Sequence, residues 1–188
     1  MQRIYIDPGH GGRDTGAIGY GLVEKEIALD IGLKMSIYLR DNFVGMYRRM
    51  SRTDDTFVDL QTRTNDANSW GADVFVSIHV NAFDGSARGF ETFIHDSNPT
   101  WARALQSIMH PLIFEGVQNF DALTPNRGQK MANFHVLRES QANTILTENL
   151  FIDHDSDAAL LRDPNFISAL AAEHAEGVAN FLGLTRTS

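Results

Sequence analysis

Short β-branched or aromatic runs alternate along this chain with longer stretches of helical period, and that alternation limits the fold more than any other feature. Residues 4–6, 44–48, 73–79, 89–95, 134–137 and 144–147 read as strands. Residues 60–70 and 100–114 read as helices. Asp163-Pro164 supplies the cap and first residue of a last helix, which Gly183 closes. Residues 24–40 are ambiguous by period. Their apolar residues alternate as in a strand, yet the run far exceeds the usual ~5–6 residues of one. Ile27, Ile31, Met35 and Leu39 also form a stripe four residues apart, and Glu24 and Glu26 suit a helix amino terminus. The segment is assigned as a helix. Strands alternating with helices specify an α/β domain with a largely parallel sheet.

The 188 residues fit one domain, with no internal repeat, low-complexity tract or Pro/Ser-rich linker. Residues 1–184 are expected to form it, and 185–188 read as a tail or the stub of a linker. Hydrophobic residues at 43% and charged residues at 21% are ordinary for a soluble globular chain. Sixteen basic against twenty-four acidic residues give a net charge of −8, which opposes nucleic-acid binding. No apolar run approaches membrane-spanning length. Cysteine is absent, so disulfides and thiolate metal sites are both excluded. Any transition metal must be held by histidine and carboxylate, a donor set that suits catalytic zinc.

Two histidines sit immediately past strand-like runs. His10 follows the turn Asp7-Pro8-Gly9, and His79 ends residues 73–79. Sites in open α/β sheets form outside the carboxyl ends of the strands. Glu24 opens the first helix, just after a Gly-rich loop that begins at His10 and can turn the backbone back on itself. Two histidines and that carboxylate can supply a three-ligand zinc site with a fourth position open. The same residues have plainer readings: hydrogen-bonded loop histidines, and a glutamate that complements a helix dipole. The loop lacks both the P-loop and the G-x-G-x-x-G pattern. Spacing alone leaves these readings open. Glu148 ends another strand-like run and is followed by Leu150-Phe151-Ile152, where a carboxylate is costly unless it is paired or functional. His135 and His174 read as structural, and Trp70 and Trp101 as core. Asn81, two residues past His79, can orient a ligand or touch substrate. Asp7 and His154 are candidates for the same part.

Four stretches together carry a resemblance. They are Asp7-Pro8-Gly9-His10-Gly11-Gly12 with Asp14, Gly16-Ala17 and Glu24-Lys25; Ser77-Ile78-His79-Val80-Asn81-Ala82; Arg127-Gly128 with Asn133-Phe134-His135-Val136-Leu137-Arg138; and Thr147-Glu148-Asn149-Leu150-Phe151-Ile152 with Asp157 and Leu160. In this order, over nearly the whole chain, they resemble the N-acetylmuramoyl-L-alanine amidase family 3. The pattern departs at Asn149, where a small or apolar residue is expected, and at His154, where Asn is usual. The resemblance implies a twisted, mostly parallel sheet flanked by helices on both faces, of the zinc amidase/exopeptidase type. It implies one zinc ion on His10, Glu24 and His79, with Glu148 as the catalytic acid/base. It further implies hydrolysis of the amide between N-acetylmuramic acid and L-alanine in peptidoglycan. A monomer is expected, with any wall-binding domain separate from this chain.

Some members of the family carry an extra helix over the zinc. The stretch between His79 and Arg127 is too short for one, so an open site is expected. The alternatives are a zinc peptidase that cuts within the stem peptide, and a wall-binding or regulatory module without catalysis. Action on the cell wall is expected, on the extracellular or periplasmic side. Met1-Gln2-Arg3 runs straight into a strand-like segment without a signal-peptide pattern. That fits either a processed chain or a lysin released from the cytoplasm, as phages use.

Overall fold

The computed structural model describes residues 1–187. Ten strands and six helices follow in the order β1 (Gln2–Pro8), β2 (Ile18–Gly19), β3 (Leu22–Val23), α1 (Glu24–Asn42), β4 (Phe43–Val44), β5 (Met46–Met50), α2 (Leu60–Trp70), β6 (Val74–Asn81), β7 (Phe90–Ile94), α3 (Thr100–Gln118), β8 (Asn126–Met131), α4 (His135–Glu139), β9 (Asn143–Phe151), α5 (Asp155–Leu161), α6 (Pro164–Leu182) and β10 (Thr185–Arg186). Six strands form the central sheet in the order β5-β1-β6-β9-β7-β8. The four strands β5, β1, β6 and β9 are mutually parallel; β7 runs antiparallel to β9, and β8 parallel to β7.

Both faces of the sheet are covered, which is why its central strands are buried along nearly continuous apolar runs. Alternation sends Ile4, Ile6, Val74, Val76, Ile78 and Ile145 into a large core that includes residues of α1, α3 and α6. It sends Tyr5, Phe75 and Leu146 into a smaller core with Ala67 of α2 and Val136 and Leu137 of α4. Fully burying a side chain such as Phe75 contributes roughly 1.5–3 kcal/mol. In α1 the stripe Ile27, Ile31, Met35 and Leu39 is buried, whereas Ile37, which a strand reading would bury with them, is 49% exposed. Helix α2 starts at Asp59, whose side chain accepts from Thr62 N, and ends on Gly71 in the left-handed conformation. Helix α6 starts at Asp163, with Pro164 in its first turn, and stops at left-handed Gly183.

Several expectations give way. Residues 134–137 were expected as a strand, but His135–Glu139 is a helix that buries the adjacent Val136 and Leu137 together. The strand instead comes earlier, at the polar edge segment Asn126–Met131. Residues 185 and 186, assigned to a tail, pair antiparallel with β4. Arg186 is held there over the Phe43 ring and by Glu176; residue 188 lies outside the described residues. Trp101 is 68% exposed on α3 and belongs to no core, whereas Trp70 packs at the margin of the smaller one. Among the described residues no helix is long and apolar enough to cross a membrane.

Candidate metal centre

The carboxyl ends of β1, β6 and β9 lie side by side, because their parallel register pairs Pro8 with Ile78 and His79 with Glu148. The chain leaves β1 through Gly9 into His10, whose φ of 59° is left-handed and costs a residue with a Cβ roughly 1–2 kcal/mol. It returns through the small β2–β3 hairpin to Glu24, the first residue of α1, whose amide donates to Ala17 O (2.9 Å). Two glycines make the close approach feasible. A Cβ on Gly9 would lie 2.4 Å from His79 Cε1, and one on Gly16 would lie 2.5 Å from Glu24 Oε2 and 2.6 Å from His10 Cδ2.

Glu24 Oε1 sits between the two imidazoles, 3.1 Å from His10 Nε2 and 3.0 Å from His79 Nδ1. It also accepts from Val80 N (3.1 Å), while Oε2 accepts from Ala17 N (2.8 Å). The rings of His10 and His79 stand nearly perpendicular, with centroids 5.0 Å apart. His10 Nδ1, on the far side of its ring, lies 3.0 Å from Asp14 Oδ2. Asn149 fixes His79 from behind by donating to its carbonyl oxygen (3.0 Å). His10, Glu24 and His79 each offer a ligand atom within 4.8 Å of the others, so the group can hold a metal ion.

The electrostatics favour a cation at this point. Burial alone would raise the Glu24 carboxyl, but contact with His10 and His79 outweighs it and holds the group far below the usual carboxylate range. Burial would lower the His10 imidazole, yet the Glu24 and Asp14 carboxylates raise it above its ordinary value. Glu148 behaves in the opposite way. Burial, then the charges of Glu24 and Glu91, push its carboxyl well above the ordinary range. Its Oε2 is sealed from solvent and has no hydrogen-bond partner among the described residues. A carboxylate left in this condition marks a functional group more often than a structural one.

Two clefts meet at the triad, and both are open. One, of about 560 Å³, is lined by His10, Glu24, His79 and Glu148 together with Leu60, Phe134 and Val136. The other, of about 500 Å³, passes His10 and His79 toward Asp14, Phe57, Asp59 and Arg63. His135, expected to be structural, lines the first cleft because helix α4 replaces the expected strand. Asp7 borders the second cleft but is buried, paired with Arg63 (2.7 Å) and accepting from Ser77 Oγ (2.8 Å). Asn81 is turned away, donating to Glu91 Oε1 (2.8 Å). His154 lines neither cleft; it precedes α5, beside Asp155. His174 is buried, as expected of a structural residue.

Sequence reasoning missed Glu91. It stands opposite Glu148 in the antiparallel β7–β9 ladder and is paired with Arg127 (2.9 Å) and Lys130. It also missed the buried arginines 52 and 63. Buried polar residues of this kind carry no periodic signal, and only their tertiary partners reveal them.

Residues 4–180 match the N-acetylmuramoyl-L-alanine amidase family. The chain is 46% identical over 188 residues to the sporulation-specific N-acetylmuramoyl-L-alanine amidase of Bacillus subtilis, covering all of this chain and 71% of that one. It is 37% identical over 187 residues to the endolysin of Bacillus phage SPP1, covering 98% and 68%. Its fold superposes on the catalytic domain of CwlV, an N-acetylmuramoyl-L-alanine amidase from Bacillus (Paenibacillus) polymyxa, with a TM-score of 0.91 and 30% identity, covering 98% of this chain and all of that one. On the site geometry and these likenesses together, the chain belongs to the N-acetylmuramoyl-L-alanine amidase family.

Proposed function

We propose that this protein is a zinc-dependent peptidoglycan hydrolase that cleaves the amide between N-acetylmuramic acid and L-alanine at the cell wall. One observation carries the reading: two imidazole nitrogens converge on a single carboxylate oxygen at the floor of an open cleft, with the unpaired Glu148 carboxylate on the same wall. His10, Glu24 and His79 form a nitrogen, nitrogen, oxygen donor set without thiolate, which suits zinc with a free coordination position. When bound, a zinc ion there would supply Lewis acidity toward the amide carbonyl and lower the pKa of water.

Everything else falls to the chain's own residues. Glu148, which lines the cleft, accepts a proton from the attacking water and delivers it to the departing nitrogen of L-alanine. Burial, then the charges of Glu24 and Glu91, raise the proton affinity of Glu148, which suits a group that takes up a proton. Asp14 orients His10 from the far side of its ring, and Asn149 fixes the backbone of His79. Leu60, Phe134 and Val136 give the cleft apolar walls.

Mass spectrometry of fragments released from purified peptidoglycan tests the reading. L-alanine amino termini and glycan strands stripped of stem peptides are expected. Fragments that keep the muramoyl–L-alanine bond and are cut within the stem would replace the amidase with a peptidase.

A further inference from the structure

Three consecutive carbonyl oxygens at the end of β1 are held by two buried guanidinium groups. Arg63 donates through Nη1 to Pro8 O (2.7 Å) and Asp7 Oδ1 (2.7 Å), through Nη2 to His10 O (2.6 Å), and through Nε to Val58 O (2.8 Å). Arg52 donates through Nε to Pro8 O (3.1 Å), through Nη1 to Asp54 O (3.0 Å), and through Nη2 to both Gly9 O (2.7 Å) and Lys25 O (2.7 Å). Arg52 is 4% exposed and Arg63 2%.

Burying two like charges against one turn is unfavourable, and among the described residues Asp7 is the one carboxylate bonded to either of them. Apart from Ser51 Oγ, 3.4 Å from Arg63 Nη1, the remaining partners are backbone carbonyls; those of Pro8, Gly9, His10 and Lys25 belong to the segments that carry the candidate ligands, and those of Asp54 and Val58 to the loop between β5 and α2. Pro8, Gly9 and His10 form the turn in which His10 takes its left-handed φ. Lys25 follows Glu24 in the first turn of α1, so one nitrogen of Arg52 ties the His10 turn to the start of the Glu24 helix. A guanidinium suits this work because its donors form a rigid planar fork, which a lysine ammonium cannot reproduce.

We propose that Arg52 and Arg63 are positioning residues for His10 and Glu24, locking both segments in their ligand-bearing geometry before any ion arrives. The inference rests on the reading of His10 and Glu24 as metal ligands. Asp7 then has a defined part. Held by Arg63 and Ser77, it anchors the Arg63 fork. An ion entering a turn that is already ordered does not lose affinity to ordering it.

The test uses metal-free protein and reads zinc affinity by competition with a chromophoric chelator. Arg52→Lys and Arg63→Lys keep the charge and remove the fork. Each is expected to bind zinc about 10–100-fold more weakly and to alter the visible spectrum of the cobalt-substituted protein. Arg49→Lys, an exposed control paired with Asp66, is expected to match the unmodified chain. Folded Arg52→Lys and Arg63→Lys proteins with unchanged affinity and cobalt spectrum overturn the proposal.

Hydrogen exchange on the unmodified protein gives a second reading that needs no variant to fold. The Gly9 and Gly11 amides, bonded to Ile78 O (2.9 Å) and Asp14 O (2.8 Å), are expected to be protected before zinc is added. Protection that arises only with zinc overturns the proposal. His10→Ala separates the two claims. If it keeps full zinc affinity, the ligand reading fails; if it loses zinc while the arginine variants do not, the positioning claim alone fails.

Discussion

Glu148 stands directly opposite His79 in the parallel ladder between β9 and β6. The separation of the candidate acid/base from a candidate metal ligand is therefore set by backbone register. A slip of β9 by one residue would turn Glu148 to the other face of the sheet. Just beyond the pair the register shifts, so that Asn81 meets Phe151, and Leu150 lies buried with a left-handed φ of 70°. Asp157 secures this end of the strand by accepting from Phe151 N (3.0 Å) and Gly89 N (2.8 Å).

Glu91 faces Glu148 from the other side, and its negative charge helps to raise the Glu148 carboxyl. Glu91→Gln removes that charge and leaves Arg127 and Lys130 without their carboxylate. Both changes favour ionised Glu148, so the acid limb of the kcat/KM profile is expected to move to lower pH. A pH–rate series on soluble muropeptide reads it. An unmoved or upward-shifted limb would remove Glu148 as the group behind that limb.

Gly16→Ala places a methyl group against Glu24 and His10 at a left-handed position. The backbone strain is worth about 1 kcal/mol, which a domain of this size tolerates. The expected result is a folded protein whose zinc affinity falls at least about tenfold, because ligand geometry is disturbed. Zinc titration beside a thermal melt checks this; wild-type affinity in the folded variant would contradict the geometry given for the triad.

How much was legible follows from these cases. Long elements with caps at both ends, such as α6 between Asp163 and Gly183, were plain in the sequence because period and end signals agree. Strand β8 was not. Its residues are polar and sit at the sheet edge, so Asn126–Met131 reads as a loop. The 134–137 run misled because four apolar-rich residues fit either period, and the burial of adjacent Val136 and Leu137 on α2 was invisible. His10, Glu24, His79 and Glu148 were found as strand-end and helix-start residues, and the structure brings all four to one cleft. Arg52, Arg63 and Glu91 act through partners distant in sequence, which no local pattern announces.

His174 is buried and neutral, with Nδ1 donating to Leu170 O (2.7 Å) and Nε2 facing Thr147 Oγ1 (3.0 Å). Burial pushes its pKa down to about 4. The unfolded chain takes up this proton near pH ~6.5, so the contribution is complete above that value and is lost as pH falls toward about 4. The loss is about 3 kcal/mol. Urea denaturation of metal-free protein between these limits should show a shallower acid slope for His174→Gln. Equal slopes would mean that His174 titrates normally in the folded state.

A chain of net charge −8 is repelled by anionic wall polymers. Hydrolysis of whole walls is therefore expected to rise from low salt to roughly 0.15 M ionic strength, where the Debye length is about 8 Å. Hydrolysis of short soluble muropeptides should change less. A steep fall in wall binding over this range would reveal a basic contact face.

The division of labour between the two carboxylates is the central claim, and zinc content measured beside turnover on soluble muropeptide tests it most directly. Glu148→Ala is expected to keep its fold and one zinc ion per chain while losing about 10²–10⁴-fold in rate or more. Glu24→Ala is expected to lose rate because zinc is lost or loosened. A Glu148→Ala protein that loses its zinc while Glu24→Ala retains it, or one that remains fully active, would contradict the account.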